Sequence, residues 1–153
     1  MQKVTPFLWF ENQAEEAAKF YCSIFPGATC GEGMRGPDGN ILVMTFNLGG
    51  VDFAGLNGGP MYKFSPATSF VIHCESQDEV DHFWNRLLEG GKASQCGWLD
   101  DKFGVTWQIV PTRFFELLNV GTPAQSGAVM GAMMQMVKFD IAVLEAAFEG
   151  AAE

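Results

Sequence analysis

The sequence predicts a mixed α+β domain built from two similar halves. Residues 5–25 and 68–88 each read as one strand that leads directly into one helix. The two stretches align at a shift of 63 residues, which pairs Phe7 with Phe70 and Phe20 with Phe83. Each stretch is followed by strand-like sequence, so each half is predicted as β-α-β-β-β, the pattern of an internal duplication.

Composition and charge argue against several classes of protein. The chain has 153 residues, of which 48% are hydrophobic, including 14 Phe and 4 Trp, and this suffices for a packed aromatic core. Its formal charge of −9 argues against nucleic acid or an anionic membrane as partner, because either would require a positive surface. No apolar run is long enough to span a membrane, and no secretory signal precedes the first strand, so a cytoplasmic protein is expected.

The four cysteines give no metal or disulfide pattern. They form neither a C-x-x-C pair nor a zinc-like spacing. In a cytoplasmic protein they are expected to be reduced, and most are expected to be small core residues: Cys22, Cys30, Cys74 and Cys96.

In the first half, at about residues 1–60, the sequence carries clear signals for the start and the end of the helix. Asn12 is predicted to cap the first helix, with Glu15 completing a capping box, and Pro26-Gly27 is predicted to end it. The predicted elements are a strand covered on both faces at 4–10, this helix, a possible strand at 29–35 and a hairpin of strands at 41–48 and 51–56.

The second half, at about residues 66–113, repeats this order with a shorter middle. Its helix begins at a capping box from Ser76 to Glu79 and ends at Leu88. Its predicted strands lie at 69–74, 95–99 and 105–111.

A helical extension is predicted at 114–150. It comprises a turn at 114–118, a helix capped by Thr122 with Pro123 at its first position, and a short helix at 140–148. The middle helix carries an apolar stripe that could cover the domain's own sheet or a second subunit: Ala128, Val129, Ala132, Met133 and Met136.

The duplicated unit, with an aromatic pair late in each helix (Phe20-Tyr21 and Phe83-Trp84), resembles the vicinal oxygen chelate superfamily of glyoxalase I, bleomycin-resistance proteins and extradiol dioxygenases. The stretches TPFLWF, NGGP, QCGWL and FGVTWQIVPT resemble its PhnB-like branch, whose members often carry the label 3-demethylubiquinone-9 3-methyltransferase. The resemblance covers roughly residues 4–147. It implies a glyoxalase-like fold, in which two βαβββ modules form an incomplete barrel and a cleft, and a homodimer, sometimes with exchanged halves.

The resemblance also places four metal-ligand positions on this chain. They fall near Pro6 (or Thr5), Phe53, Ser69 and Gln108, whereas a divalent metal requires imidazole or carboxylate donors. We therefore expect no metal and no cofactor.

The residues at the cleft positions that the resemblance assigns to this chain combine aromatic and polar side chains. This composition is typical of a pocket for a small, partly apolar molecule. Trp107 is a weaker candidate, because a strand turns it to the face opposite its neighbour Gln108. The alternative is that large rings fill the space left by the metal. The candidate ligand-binding residues are Phe53, Asn57, Ser69, Val71, His73, Trp98 and Gln108.

Two further interpretations stay open. One is a lyase, isomerase or dioxygenase that uses Gln108 and His73 with a weakly held metal, and the other is an interaction module whose function is its own dimer. The methyltransferase label finds no support, because the Gly-rich stretch at 55–60 ends in Pro60 and no predicted helix follows it.

Overall fold

The computed structural model describes residues 2–152, which fall into two units, 2–65 and 66–152. Within the described residues, no helix is both long enough and apolar enough to cross a membrane. Each unit contains one sheet, and the mixed α+β class predicted from the sequence is confirmed.

The first unit follows the predicted β-α-β-β-β order, with its third segment split in two. Its elements are β1 Phe7–Phe10, α1 Ala14–Ile24, β2 Thr29–Cys30, β3 Met34–Arg35, β4 Ile41–Leu48 and β5 Val51–Asn57. The sheet runs in the order β1-β5-β4-β2, with β3 also paired to β4, and β1 is parallel to β5. The β4–β5 hairpin turns at Gly49 and Gly50, whose φ values of 57° and 87° suit a two-residue turn with a left-handed pair.

One face of this sheet packs on α1. Leu8, Phe10 and Phe46 are buried there, and the Phe46 ring lies 5.9 Å from the ring of Tyr21 on α1. The opposite face carries Phe7, which is 57% exposed. The prediction that the first strand is covered on both faces is therefore wrong, since alternate residues point to opposite faces and only one face has a helix.

The predicted Asn12 cap is also wrong. The residue before the helix is Gln13, whose side chain makes no capping bond. Instead, the backbone N–H of Ala14 donates to Asn57 Oδ1 at 2.8 Å, so the acceptor comes from the end of β5, 43 residues away. Such a partner satisfies the helix N-terminus as a local cap would, but local sequence cannot reveal it.

The second unit holds a smaller sheet and three further helices. Its elements are β6 Phe70–Cys74, α2 Gln77–Leu88, β7 Lys92–Ala93, β8 Trp98–Asp100, β9 Thr106–Pro111, α3 Thr112–Val120, α4 Pro123–Met134 and α5 Ile141–Gly150. The sheet order is β6-β9-β8-β7, with β6 parallel to β9.

Two predicted caps in this unit are present. Ser76 Oγ accepts from the N–H of Glu79 at 3.2 Å. Thr122 and Gln125 form a reciprocal capping box at the start of α4.

The strand predicted at 95–99 begins three residues later, at Trp98. Cys96 has a φ of 59°, a left-handed conformation that a strand does not contain. Its N–H donates to Met136 O, and the N–H of Gly97 donates to Val137 O, both at 2.8 Å. The chain that follows α4 therefore holds this turn, and the sequence prediction missed both that contact and the short strand β7.

The C-terminal helices pack mainly on one another. α4 contacts α5 and α3. Of its predicted apolar stripe, Val129 is fully buried, and Met136 is buried just beyond the helix. The turn predicted at 114–118 is a helix of nine residues. Gln77 at the start of α2 joins this extension to the sheet layer, because its Nε2 donates to Phe139 O and its Oε1 accepts from the N–H of Ile141.

The internal repeat does not run at one shift. The connection from β1 to α1 has three residues, 11–13, whereas that from β6 to α2 has two, 75–76. The helices therefore correspond at the shift of 63, but the strands correspond at 64, so that Phe10 matches Cys74. Because a one-residue slip moves a strand residue to the opposite face, this difference changes which residues of the two halves are equivalent.

Candidate functional site

Most of the candidate residues lie together on one face of the second unit's sheet. Val71 pairs with Gln108, and Gln108 pairs with Trp98, so all three point to the same side. Their neighbours Ile72, Leu99 and Ile109 are buried on the other side. We call the first side the open face and define it by Ser69, Val71, His73, Trp98 and Gln108.

The covered side of this sheet consists of buried side chains. Cys74 on β6 is fully buried, and burial, followed by the charges of Glu79 and Glu75, raises the pKa of its thiol to about 12. This cysteine is therefore a neutral core residue. The prediction that most of the four cysteines are core residues is wrong, because Cys22 and Cys96 are only partly buried and Cys30 is exposed.

A hydrogen bond joins two of the open-face residues. Gln108 Nε2 donates to Ser69 Oγ at 2.9 Å. Within residues 2–152, Gln108 Oε1 accepts no hydrogen bond and the indole N–H of Trp98 donates none. Because Trp98 and Gln108 are cross-strand neighbours, the face presents one unused donor beside one unused acceptor.

Apolar surface flanks this polar pair. Val71 on β6 lies beside Gln108 on β9, and its side chain is 41% exposed. His73, two residues further along, is exposed, and its ring lies 5.8 Å from the ring of Phe115 on α3. The open face therefore combines a donor and an acceptor with apolar walls, which suits a small, partly apolar molecule.

The hairpin that carries Trp98 and Gln108 is fixed by a buried carboxylate that the sequence prediction missed. Asp101 Oδ1 accepts from the backbone N–H groups of Phe103 at 2.8 Å and Val105 at 3.1 Å, and Asp101 Oδ2 accepts from Trp107 Nε1 at 2.9 Å. Trp107 is thereby held on the covered side of the sheet, opposite Gln108. An Asp six residues before a Trp across a tight turn is a signal that could have found this network.

The two candidate residues in the first unit are part of its structure. Phe53 is buried and stacks on Phe46, with ring centroids 5.5 Å apart and planes at 10°. Asn57 accepts from the N-terminus of α1 and donates through Nδ2 to Ile41 O at 2.9 Å. Both side chains face α1 and belong to the helix-facing side of that sheet.

The strand shift identifies which residues of the first unit correspond to the open face. Phe7 pairs with Ala54 as Val71 pairs with Gln108. Ala54 therefore occupies the position of Gln108, and Thr5 occupies that of Ser69. Phe53 instead matches Trp107.

This assignment allows the superfamily's metal to be tested against the donors present. In the first unit the two positions hold a hydroxyl and a methyl group, and in the second a hydroxyl and an amide. Transition metals require imidazole, thiolate or carboxylate donors. Among residues 2–152, no three His, Cys, Asp or Glu residues are grouped so that they could hold a metal ion. The donors do not fit a metal centre of this kind.

A concave surface lies within the first unit, and the sequence prediction missed it except for Asn57. It is an open pocket of about 720 Å³ at the start of α1, lined mainly by polar residues: Glu11, Asn12, Glu15, Arg35, Asp38, Asn40, Ile41, Leu42, Asn57, Gly58 and Gly59. Its charged groups already have partners. Glu11 pairs with Lys63 at 3.6 Å, and Arg35 donates to Gly39 O at 2.8 Å.

Comparison with known proteins adds the family. Residues 2–110 match the family described as 3-demethylubiquinone-9 3-methyltransferase, and α3, α4 and α5 lie beyond the matched residues. No curated protein matches the chain.

Similar structures support the same assignment. A protein from Bacillus cereus, described as a 3-demethylubiquinone-9 3-methyltransferase and PhnB protein, is 32% identical, with a TM-score of 0.67 over 72% of this chain and 99% of that one. Protein PA1353 from Pseudomonas aeruginosa is 19% identical, with a TM-score of 0.62 over 72% and 98% of the two chains. A glyoxalase/bleomycin resistance protein from Albidiferax ferrireducens is 14% identical, with a TM-score of 0.50 over 70% and 95%. The last two show the fold alone, which is glyoxalase-like. The chain belongs to the 3-demethylubiquinone-9 3-methyltransferase family, to which the PhnB protein from Bacillus cereus is also assigned by its description.

Proposed function

We propose that this protein binds a small, partly apolar molecule on the open face of its second unit, without a transition metal. The observation that carries the proposal is the unused acceptor Gln108 Oε1 beside the unused indole donor of Trp98. A ligand with a neighbouring donor and acceptor, such as an amide or a hydroxy-carbonyl group, would satisfy both atoms. Its apolar part would then lie along Val71.

Ser69 has a positioning role in this proposal. Its Oγ accepts from Gln108 Nε2, which directs the amide nitrogen toward Ser69 and leaves the amide oxygen for the ligand. Without this bond the amide could rotate and present its nitrogen instead. Ser69→Ala is therefore expected to weaken binding less than Gln108→Leu does.

The methyltransferase in the family's description is not carried over. A nucleotide-type methyl donor site needs a Gly-rich turn that leads from a strand into a helix. Here the stretch Gly58-Gly59-Pro60 follows β5, and the next element of the chain is the strand β6. The residues support binding, and they supply no recognisable methyl-transfer site.

The proposal is tested by screening small fragments against ¹⁵N-labelled protein in the presence of a chelator. We expect hits to shift the indole resonance of Trp98 and the side-chain amide resonance of Gln108. Gln108→Leu removes one hydrogen bond and is expected to weaken such hits about tenfold, whereas Gln135→Leu on the exposed end of α4 serves as the matched control and should leave them unchanged. Hits that perturb only other residues would contradict the proposal.

The rival function is a metal-dependent lyase, isomerase or dioxygenase. It requires that a weakly held divalent metal, such as Zn, Ni, Fe or Mn, binds the protein stoichiometrically when the ion is added. It also requires that Gln108→Ala releases this metal. Elemental analysis of both proteins distinguishes the two functions.

Family membership leads us to propose in addition a homodimer. Exposed apolar side chains on the C-terminal helices, including Met130, Met134 and Val143, support a protein contact in that region. Light scattering coupled to size exclusion gives the mass of the particle, and a mass of one chain at micromolar concentration would contradict the dimer.

A further inference from the structure

Two cysteines of the first unit lie with their sulfur atoms in contact. The thiol of Cys30 on β2 donates to Cys22 Sγ on α1, with the two Sγ atoms 3.2 Å apart. A disulfide has a sulfur–sulfur length near 2.05 Å, so an approach of about 1 Å would suffice for bonding. Neither residue belongs to the open face.

The fold brings these thiols together from positions eight residues apart. After α1 the chain reverses at Gly27, whose φ is 72°, and β2 then runs beside the helix. Cys30 is paired with Phe46 across β2 and β4, and Phe46 faces Tyr21 on α1. Cross-strand partners share a face, so the Cys30 side chain points toward α1, where Cys22 follows Tyr21.

We propose that Cys22 and Cys30 form a reversible modification site, in which a hydroperoxide oxidises Cys30 and Cys22 then closes an intrachain disulfide. Cys30 is the exposed member of the pair and Cys22 is half-buried, so the oxidant reaches Cys30 first. The other two cysteines have no such partner, because Cys74 is fully buried and Cys96 lies near no second thiol in the part of the chain that the structure describes.

The chemistry balances in two steps. The Cys30 sulfur attacks the terminal peroxide oxygen, the O–O bond breaks, and the sulfur becomes a sulfenic acid, while the thiol proton of Cys30 passes to the departing oxygen, which leaves as water or an alcohol. Cys22 Sγ then attacks the Cys30 sulfur, the S–S bond forms, the S–O bond breaks, and the hydroxyl leaves as water with the thiol proton of Cys22. Both thiols together supply the two electrons that the peroxide accepts, and an added dithiol reverses the reaction by exchange.

The ionisation of Cys22 agrees with this order of events. Burial, followed by the hydrogen bond and charge of Cys30, raises the pKa of the Cys22 thiol to about 12. Cys22 therefore keeps its proton near neutral pH and reacts poorly with an external oxidant. In the second step its small thiolate fraction is offset by proximity, because the electrophilic sulfur of Cys30 is already in contact with Cys22 Sγ.

The disulfide would tie a sheet edge to the helix. β2 has only two residues and forms the end of the strand order, and the next residue, Gly31, donates its N–H to Thr45 O at 2.7 Å. Closing a short loop between α1 and β2 restricts opening of this edge. Amide exchange of Gly31 is therefore expected to slow on oxidation.

The test treats the full chain with hydrogen peroxide and measures intact mass and peptide maps. We expect a loss of roughly 2 Da from the two thiol hydrogens, a peptide linked through Cys22 and Cys30, and full reversal by dithiothreitol. Cys22→Ser should instead accumulate a sulfenic acid on Cys30 that dimedone traps, and the control Cys96→Ser should behave as the unmodified sequence does.

Two results would each overturn the proposed modification site, and a third would overturn only the inferred effect on the sheet edge. The first is a dimedone adduct on Cys30 in the unmodified chain with no loss of mass. The second is a disulfide that links two chains through Cys30. The third is unchanged amide exchange at Gly31 in a protein shown by mass to be fully crosslinked, which would overturn the inferred effect on the sheet edge.

Discussion

Replacing Asp101 with alanine should destabilise the protein more than any other single carboxylate change in the β8–β9 hairpin. Asp101 is 3% exposed, and its carboxylate accepts hydrogen bonds from the backbone N–H groups of Phe103 and Val105 and from the indole of Trp107. Each bond to a charged acceptor contributes about 1.5 to 3 kcal/mol, and alanine leaves all three donors without it. Since water can reach the exposed residues of this turn, the lower end applies, and the free energy of unfolding should fall by about 4.5 kcal/mol.

Two substitutions separate the parts of this effect. Asp101→Asn keeps one oxygen for the two backbone donors and turns an N–H₂ group toward the indole N–H, so we expect a loss of about 2 kcal/mol. Trp107→Phe removes that indole donor. In a double-mutant cycle, Asp101→Asn should therefore lower the free energy of unfolding less in the Trp107→Phe background than in the unmodified protein.

The matched control is the neighbouring carboxylate. Asp100 accepts one side-chain hydrogen bond, from Thr106 Oγ1 at 2.6 Å, and is only half-buried. Asp100→Ala should therefore lose about 1 kcal/mol. Urea unfolding at neutral pH, followed by circular dichroism and tryptophan fluorescence, measures each free energy. The reasoning is refuted if Asp101→Ala and Asp100→Ala lose the same amount.

Three further predictions concern local packing and charge. Gly91→Ala places a Cβ onto the carbonyl oxygen of Asp100 and should cost about 2 to 3 kcal/mol in urea unfolding, because backbone cannot move aside. Gly131→Ala, in α4 with open space around it, should instead stabilise the protein by about 1 kcal/mol, and a loss would contradict this reasoning. Hydrogen bonds from Lys138 and Gln77 lower the pKa of the Asp81 carboxyl. The ionised Asp81 therefore contributes to stability above the ordinary aspartate pKa, and this contribution is lost as the pH falls through the lowered pKa of the folded state. An NMR titration should show the Asp81 pKa rising in Lys138→Met, and an unchanged value would argue against the ion pair.

Local signals predicted the elements that depend on neighbouring residues. Ser76 and Thr122 cap their helices as predicted, because each acceptor lies three residues from its donor. The Gly49-Gly50 turn follows from the conformational freedom of the residues themselves. These features need no knowledge of the rest of the fold.

Distant contacts explain the errors. Asn12 has the right chemistry for a cap, but Asn57 takes that role because β5 ends beside the start of α1. The strand predicted at 95–99 was shortened by the backbone of Met136 and Val137, which holds Cys96 in a left-handed turn. Neither contact can be predicted from the local sequence, because the residues that form it lie far apart along the chain.

The candidate site was predictable in one half and not in the other. In the second unit the resemblance placed Ser69 and Gln108 as related positions, and the structure joins them by a hydrogen bond. In the first unit the resemblance placed the corresponding metal-ligand position near Phe53. That placement required counting residues along the chain to β5, and the register of this strand cannot be read from the sequence. Pairing of Phe7 with Ala54 supplies that register, and it moves the equivalent position by one residue.

The central claim is that the open face binds its ligand without a transition metal, and calorimetry tests it most directly. The tightest fragment hit is titrated into one batch of protein that is divided in two, with one part treated with chelator and the other loaded with Zn, Ni, Fe or Mn. We expect dissociation constants that agree within about twofold, a difference under 0.5 kcal/mol. Binding that appears only in a metal-loaded part would contradict the claim.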